Sequence, residues 1–281
     1  MRYVAVAMLL LASALCSVSA QDKSNPQATG VSGTNSTGIT DKGSAGAKHD
    51  QAISQPNANP PVGPSPAPPT GDAKAGADVA SRGAPDKGAP PCGSCHGANG
   101  EGNLATGFPR LAGLPEHYLS KQLDDYASGD RTNAMMSPIA RALDAAQRRD
   151  VSAYFSGVKP AAPNTAAAPA PPPKGPQAPD LDRARTLARL GDEQLHVQAC
   201  ANCHGPEGAG LPPSYPALAG QPQAYLASVL NEWRSGNRHN DSSGQMPMIA
   251  KALGEADIAS LAALFGAMPP PDGTAAVAHT Q

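Results

Sequence analysis

Two pentapeptides carry the densest chemistry in this 281-residue chain: Cys92-Gly93-Ser94-Cys95-His96 and Cys200-Ala201-Asn202-Cys203-His204. Each places two thiols three positions apart, with an imidazole directly after. Four such cysteines could form disulfides, bind zinc or run a dithiol redox cycle. Zinc held by two C-x-x-C pairs uses a separation of about 15–20 residues, far less than the distance between these two motifs. A thioredoxin-like pair belongs among strands alternating with helices, and no strand pattern accompanies either motif. C-x-x-C-H is read instead as covalent haem attachment. Each thiol adds across a haem vinyl to form a thioether, and the spacing lets both cysteines reach adjacent vinyls from one turn of chain. The adjoining His then lies under the iron. Cys92, Cys95, Cys200 and Cys203 are therefore expected to anchor two haem c groups, with His96 and His204 as proximal ligands.

The motifs sit inside a repeat. Gly83 and Gly191 each stand nine residues before the first cysteine of their motif. Phe108-Pro109-Arg110-Leu111-Ala112-Gly113 matches Tyr215-Pro216-Ala217-Leu218-Ala219-Gly220. Tyr118-Leu119 matches Tyr225-Leu226, and Ser128-Gly129-Asp130-Arg131 matches Ser235-Gly236-Asn237-Arg238. Met136-Ser137-Pro138-Ile139-Ala140 matches Met246-Pro247-Met248-Ile249-Ala250, with three extra residues before it in the second copy. A unit of about 85 residues has been duplicated in tandem. A soft thioether at the sixth position suits an electron-transfer haem and raises its potential. Met136 and Met246 are aligned by the repeat and are the expected sixth ligands, in irregular chain before each final helix. Met135 and Met248 are neighbours without a repeat equivalent. His117, His196 and His239 have no His partner in the other copy, and His49 and His279 lie in segments expected to be disordered.

The elements that must position these groups read as helices. Tyr118, Leu119, Gln122, Leu123 and Tyr126 recur at helical spacing, as do Tyr225, Leu226, Val229, Leu230 and Trp233. This aromatic stripe is expected to be core. Pro115 and Pro222 fit the first turn of these helices. A later helix starts near Asp144, where Gln147 three residues on suggests a capping box; its partner carries Ile258, Leu261, Leu264 and Phe265. A first helix is expected over 72–81 and again over 180–190. The fold class is thus all-α, with two similar domains at 71–158 and 180–268. An 85-residue helical unit with so few large apolar residues needs a staple, and a buried haem supplies apolar area worth about 25 cal/mol per Å².

The rest of the chain differs in kind. Pro and Gly number 31 and 29 against only ten aromatics, which implies sizeable disordered stretches. Residues 1–20 read as a signal peptide: Arg2, an apolar run over 4–15, then Val18-Ser19-Ala20 before Gln21. That run is short for a bilayer span, which needs about 20 residues, and Leu15 before Cys16 does not suit a lipoprotein signal. Residues 21–70 read as a disordered spacer. The Pro- and Ala-rich stretch 159–179 reads as a stiff linker able to span up to roughly 65 Å, and 269–281 as a tail. Lys and Arg total 21 against 23 Asp and Glu, which argues against a nucleic-acid binder.

The two C-x-x-C-H motifs, the Pro109–Gly113 block with its copy at Pro216, the Arg131 and Arg238 elements and the two Met-x-x-Ile-Ala blocks resemble tandem di-haem class I cytochromes c of the cytochrome c4 type, related to cytochromes c553. The likeness covers about two-thirds of the chain. It implies two class I cytochrome c domains, each wrapped around its haem. It further implies that the carbonyls of Pro109 and Pro216 accept a hydrogen bond from Nδ1 of His96 and His204, and that Arg131 and Arg238 pair with haem propionates. The long linker leaves the packing of the two domains unspecified.

The expectation from residues and resemblance together is an exported periplasmic electron carrier rather than an enzyme. It would take single electrons from a membrane complex or a dehydrogenase and pass them to a terminal oxidase or similar acceptor. Its partners would be redox proteins, with no nucleic acid and no transmembrane helix in the mature chain. The alternatives are a cytochrome subunit of a periplasmic dehydrogenase complex and a di-haem peroxidase-like enzyme. Peroxidase chemistry needs an open iron position, and both copies offer a Met.

Overall fold

The computed structural model describes residues 70–161 and 178–272. The expected signal peptide, nearly all of the expected spacer, most of the linker and most of the tail lie outside the described residues. Within them the secondary structure is helical, with isolated bridges in place of strands. The first domain contains α1 (Ala73–Arg82), α2 (Gly93–His96), α3 (Glu116–Ser128), α4 (Met136–Ala142) and α5 (Ala145–Gly157). The second repeats the order with α6 (Leu181–Arg189), α7 (Ala201–His204), α8 (Gln223–Ser235), α9 (Gln245–Ala252) and α10 (Glu255–Ala267). In the first domain α1 packs on α5, and α3 packs on α4 and α5; in the second, α10 packs on α6 and α8, and α8 on α9. Among the described residues no helix is long and apolar enough to cross a membrane.

Local chemistry accounts for the helix ends. Asp72 accepts hydrogen bonds from the N–H groups of Lys74 and Ala75 at the start of α1, and Asp180 caps α6 through Arg183. Asp144 and Gln147 form a reciprocal capping box at α5, which satisfies two donors that a helix start leaves orphaned. Pro115 and Pro222 stand one residue outside α3 and α8, as extended cap residues with ψ of 133° and 131°, not within the first turn. The methionines also differ from expectation. Met136 opens α4 and Met246 is the second residue of α9, so each lies on a short helix of its own. Pro138 and Pro247 do not prevent this, because first-turn N–H groups have no helical partner.

The second domain has the fuller apolar core, built from Leu187, Leu226, Leu253, Ile258, Leu261 and Phe265 among others. The first has a smaller cluster around Leu114, Leu119, Val151 and Phe155, and it includes Ala217 of the second domain. The domains therefore touch, despite a linker long enough to separate them.

The repeated glycines ahead of the motifs have a steric role. Gly83 and Gly191 have φ of 67° and 77°, and a Cβ on either would stand 2.2 Å from a backbone carbonyl, that of Ala89 or Val197. Each lets the chain fold back on itself in the loop that delivers the first cysteine. Gly236 is also left-handed, with φ 81°, but a Cβ there meets nothing within 4 Å. Gly236→Ala should therefore cost only the left-handed strain, about 1–2 kcal/mol. Gly191→Ala adds a backbone clash and should cost at least about twice that in chemical denaturation of the holoprotein. Equal costs would contradict this steric reading.

Candidate functional site

Each motif closes one helical turn. His96 and His204 donate their backbone N–H to the carbonyls of Cys92 and Cys200, at 3.0 and 2.8 Å. Both cysteines and the imidazole thus come from a single turn of chain. Both imidazoles are buried. Nδ1 of His96 lies 2.8 Å from the Pro109 carbonyl oxygen, and Nδ1 of His204 lies 2.8 Å from that of Pro216. A carbonyl only accepts, so Nδ1 carries the proton in each ring and Nε2 keeps its lone pair. Burial lowers both imidazole pKa values, against the pull of the proline carbonyls. The ring state is therefore the neutral one that a metal ligand requires. Phe108 and Tyr215 stand edge-on to these rings, at centroid distances of 6.0 and 6.1 Å.

Among the described residues none of the four cysteines is paired in a disulfide. Burial pushes Cys92 and Cys200 up to about 11, a setting suited to neutral sulfur and unlike that of a zinc thiolate. Among the described residues, no group of three or more His, Cys, Asp or Glu side chains could hold a metal ion.

The second motif opens on a cavity of about 430 Å³, within the ~300–1,000 Å³ usual for cofactor sites. Cys200, Cys203, His204 and Pro216 line it together with Met246, Ile249 and Trp233. Met246 is thus on the wall, whereas Met248 is 58% exposed; in the first domain Met135 is 55% exposed and Met136 is half-buried. Both methionine turns are pinned by side chains that sequence reasoning passed over. Asn133 Oδ1 accepts from the N–H groups of Met135 and Met136, both at 3.0 Å. Asp241 Oδ2 accepts from Met246 N at 2.8 Å, and Oδ1 accepts from Ser243. Burial acts against the Asp241 carboxylate, but these donors outweigh it and hold the group below its usual range.

The wall of this cavity is completed by the first domain, through Leu114, His117, Tyr118, Lys121 and Gln122. Here the structure brings Arg131 and Arg238 together. Arg131 Nη1 and Arg238 Nη2 donate to the same oxygen, Oε1 of Gln122, at 3.0 and 2.9 Å. Asn240 Nδ2 donates to that oxygen too, at 3.0 Å. Arg131 stacks 4.7 Å over the Tyr126 ring and Arg238 4.4 Å over Trp233. The aromatic stripe therefore does more than fill the core, since it also seats the two guanidinium groups. Both arginines are buried, and Arg131 Nε has no partner. A buried guanidinium with an unused donor fits a nearby anionic group such as a haem carboxylate.

A second polar contact lies beside it. Arg110 is fully buried, donating Nη1 to the Ala112 carbonyl and Nη2 to that of Ala219 at 3.1 Å. Burial lowers its pKa to about 10. The side-chain amide of Gln221 accepts from Arg110 N and donates to Arg110 O, both at 3.0 Å. Gln221 and Asn240 gave no motif signal, and Gln122 entered only as a member of the helical stripe. Yet each of Arg110, Gln122 and Gln221 marks a break in the repeat, facing Ala217, Val229 and Leu114 in the other copy. A polar residue at a buried position where the duplicate is apolar was the available clue.

Residues 73–159 and 188–265 match the cytochrome c family. The chain is 42% identical over 178 residues to a thiosulfate dehydrogenase electron acceptor from Thiomonas intermedia, a match covering 63% of this chain and 78% of that protein. It is 35% identical to cytochrome c4 of Pseudomonas aeruginosa, covering 60% and 80%. Among solved structures it resembles the thiosulfate dehydrogenase TsdBA of Marichromatium purpuratum, with a TM-score of 0.63 and 36% identity over 70% of this chain, but it spans only 40% of that protein. It also resembles reduced cytochrome c4 of Pseudomonas stutzeri, with a TM-score of 0.56 and 31% identity, covering 71% of this chain and all of that one. Two C-x-x-C-H turns, two proton-fixed imidazoles and these likenesses agree: the chain belongs to the cytochrome c family, as a di-haem electron-transfer protein of the cytochrome c4 type with two covalently bound haem c groups.

Proposed function

We propose that this protein is a periplasmic carrier that accepts single electrons from a dehydrogenase, with a thiosulfate-oxidising enzyme as the leading donor, and passes them towards a terminal oxidase or similar acceptor. The observation that carries the reading is the shared wall of the cavity at the second motif. Side chains from both domains line it, which favours a path between the two haem groups within one chain. The 42% identity to a thiosulfate dehydrogenase electron acceptor supports the choice of donor. The same likeness supports a second reading, a cytochrome subunit held in a dehydrogenase complex, since part of the Marichromatium TsdBA chain is similar to this one.

In this reading Cys92, Cys95, Cys200 and Cys203 anchor the haem groups. His96 with Met136, and His204 with Met246, ligate the irons, while Arg131 and Arg238 face the propionates. Bound haem supplies a one-electron Fe(III)/Fe(II) couple. The chain's own part is to fix each imidazole proton on a proline carbonyl, which strengthens ligand donation, and to keep each Met turn in place through Asn133 or Asp241. The boundaries 71–158 and 180–268 are the working domain limits. Residues 1–20 would serve as the export signal.

Two tests follow. In stopped flow with a thiosulfate dehydrogenase and thiosulfate, the oxidised holoprotein should be reduced by two electrons per chain; a rate no faster than without the enzyme would remove this donor. Met136→His or Met246→His should keep the covalent haem and lower that haem's potential, by some fraction of the roughly 0.8 V over which axial ligands act. Met135→His and Met248→His should change little. A drop with Met248→His and none with Met246→His would reassign the ligand.

A further inference from the structure

The two haem sites are copies, yet the interface between the domains treats them differently. The Pro109 carbonyl and the Arg110 N–H belong to one peptide group. Its oxygen holds Nδ1 of His96 and its N–H is bonded to Gln221 Oε1 from the other domain, at 2.8 and 3.0 Å. Hydrogen bonds in such a chain polarise one another. An acceptor on the N–H draws electron density towards the carbonyl oxygen. The oxygen becomes a stronger acceptor for the imidazole proton, and the imidazole a stronger donor through Nε2. The site is dry, since Arg110 is fully buried and Gln221 is 3% exposed, so the polarisation is little screened.

The second site lacks this link. The equivalent peptide joins Pro216 to Ala217, and Pro216 holds His204 at 2.8 Å. The position that corresponds to Gln221 is Leu114, an apolar residue of the same buried cluster as Ala217. Among the described residues no side chain bonds the Ala217 N–H. The Arg110 guanidinium bonds the carbonyls of Ala112 and Ala219, which are equivalent in the two copies, and not the Pro109–Arg110 peptide.

We propose that Gln221 is a positioning residue acting across the domain interface: through the Pro109–Arg110 peptide it strengthens His96 as a donor and lowers the potential of the first haem relative to the second. The proposal deepens the reading above, since it rests on His96 being the proximal ligand. It makes the order in which the two haem groups fill a property of domain docking.

The test uses the full holoprotein with Gln221→Met, a substitution of similar length with no amide. Redox titration should show the first haem's wave, identified by its shift in Met136→His, moving to higher potential while the second stays. In the reduced protein, the NMR signal of the His96 Nδ1 proton should move upfield and that of His204 should not. Equal movement of both waves, the same change from Leu114→Ala, or no change in wave and proton signal would each overturn the proposal. Should small-angle scattering show that Gln221→Met undocks the domains, Leu114→Gln decides: it should lower the second haem's potential, and an unmoved second wave would sink the idea. Failure of the underlying reading looks different, because an unligated His96 would show no ring-current-shifted ring protons even in the unsubstituted protein.

Discussion

Each half of this molecule depends on one hydrogen bond between a buried imidazole and a proline carbonyl. The bond fixes which nitrogen carries the proton, and therefore which nitrogen keeps the lone pair a metal could use. Proline suits the place because its φ is locked. The rest of each domain serves this contact. A tight helical turn presents the two cysteines and the histidine, a left-handed glycine returns the chain ahead of it, and α3 or α8 supplies the wall. A methionine on a short helix sits in each copy, its turn tied down by Asn133 or Asp241. Burial keeps the imidazoles neutral, the state in which a ring nitrogen can bind a metal.

The second constraint is the cost of burying charge. Arg110, Arg131 and Arg238 are all withdrawn from water, and none has a carboxylate ion-pair partner among the described residues. Unpaired burial is expensive, and it is relieved here by neutral acceptors: Gln122, Asn240 and the carbonyls of Ala112 and Ala219. These acceptors lie on both sides of the domain boundary, so separating the domains would strip hydrogen bonds from buried cations. That gives the interface a specificity beyond apolar contact, and it overrides the freedom that a Pro- and Ala-rich linker would otherwise allow.

Much of this was legible in the sequence. The duplicated C-x-x-C-H motif names its chemistry, the repeat aligns Met136 with Met246, and Asp144 with Gln147 announces a helix start that the structure has. These are local signals, carried within a few residues or by comparison of one copy with the other. The short helices around the methionines were missed because Met, Pro and Ile in sequence look irregular, while first-turn prolines cost little. The docking of the domains left no local signal. Its bonds join residues more than a hundred positions apart, such as Arg110 with Gln221, and each partner alone looks like an ordinary helix-flanking or surface residue. Only the departures from the repeat pointed there.

The geometry supports two complete, linked one-electron centres in one chain. A redox titration of the purified holoprotein, followed by absorbance and by EPR, tests it most directly. Two haems per chain are expected, each taking up one electron and each low-spin when oxidised, as His/Met ligation requires, in two distinguishable waves. A single haem per chain, or a high-spin oxidised haem with an open sixth position, would contradict it.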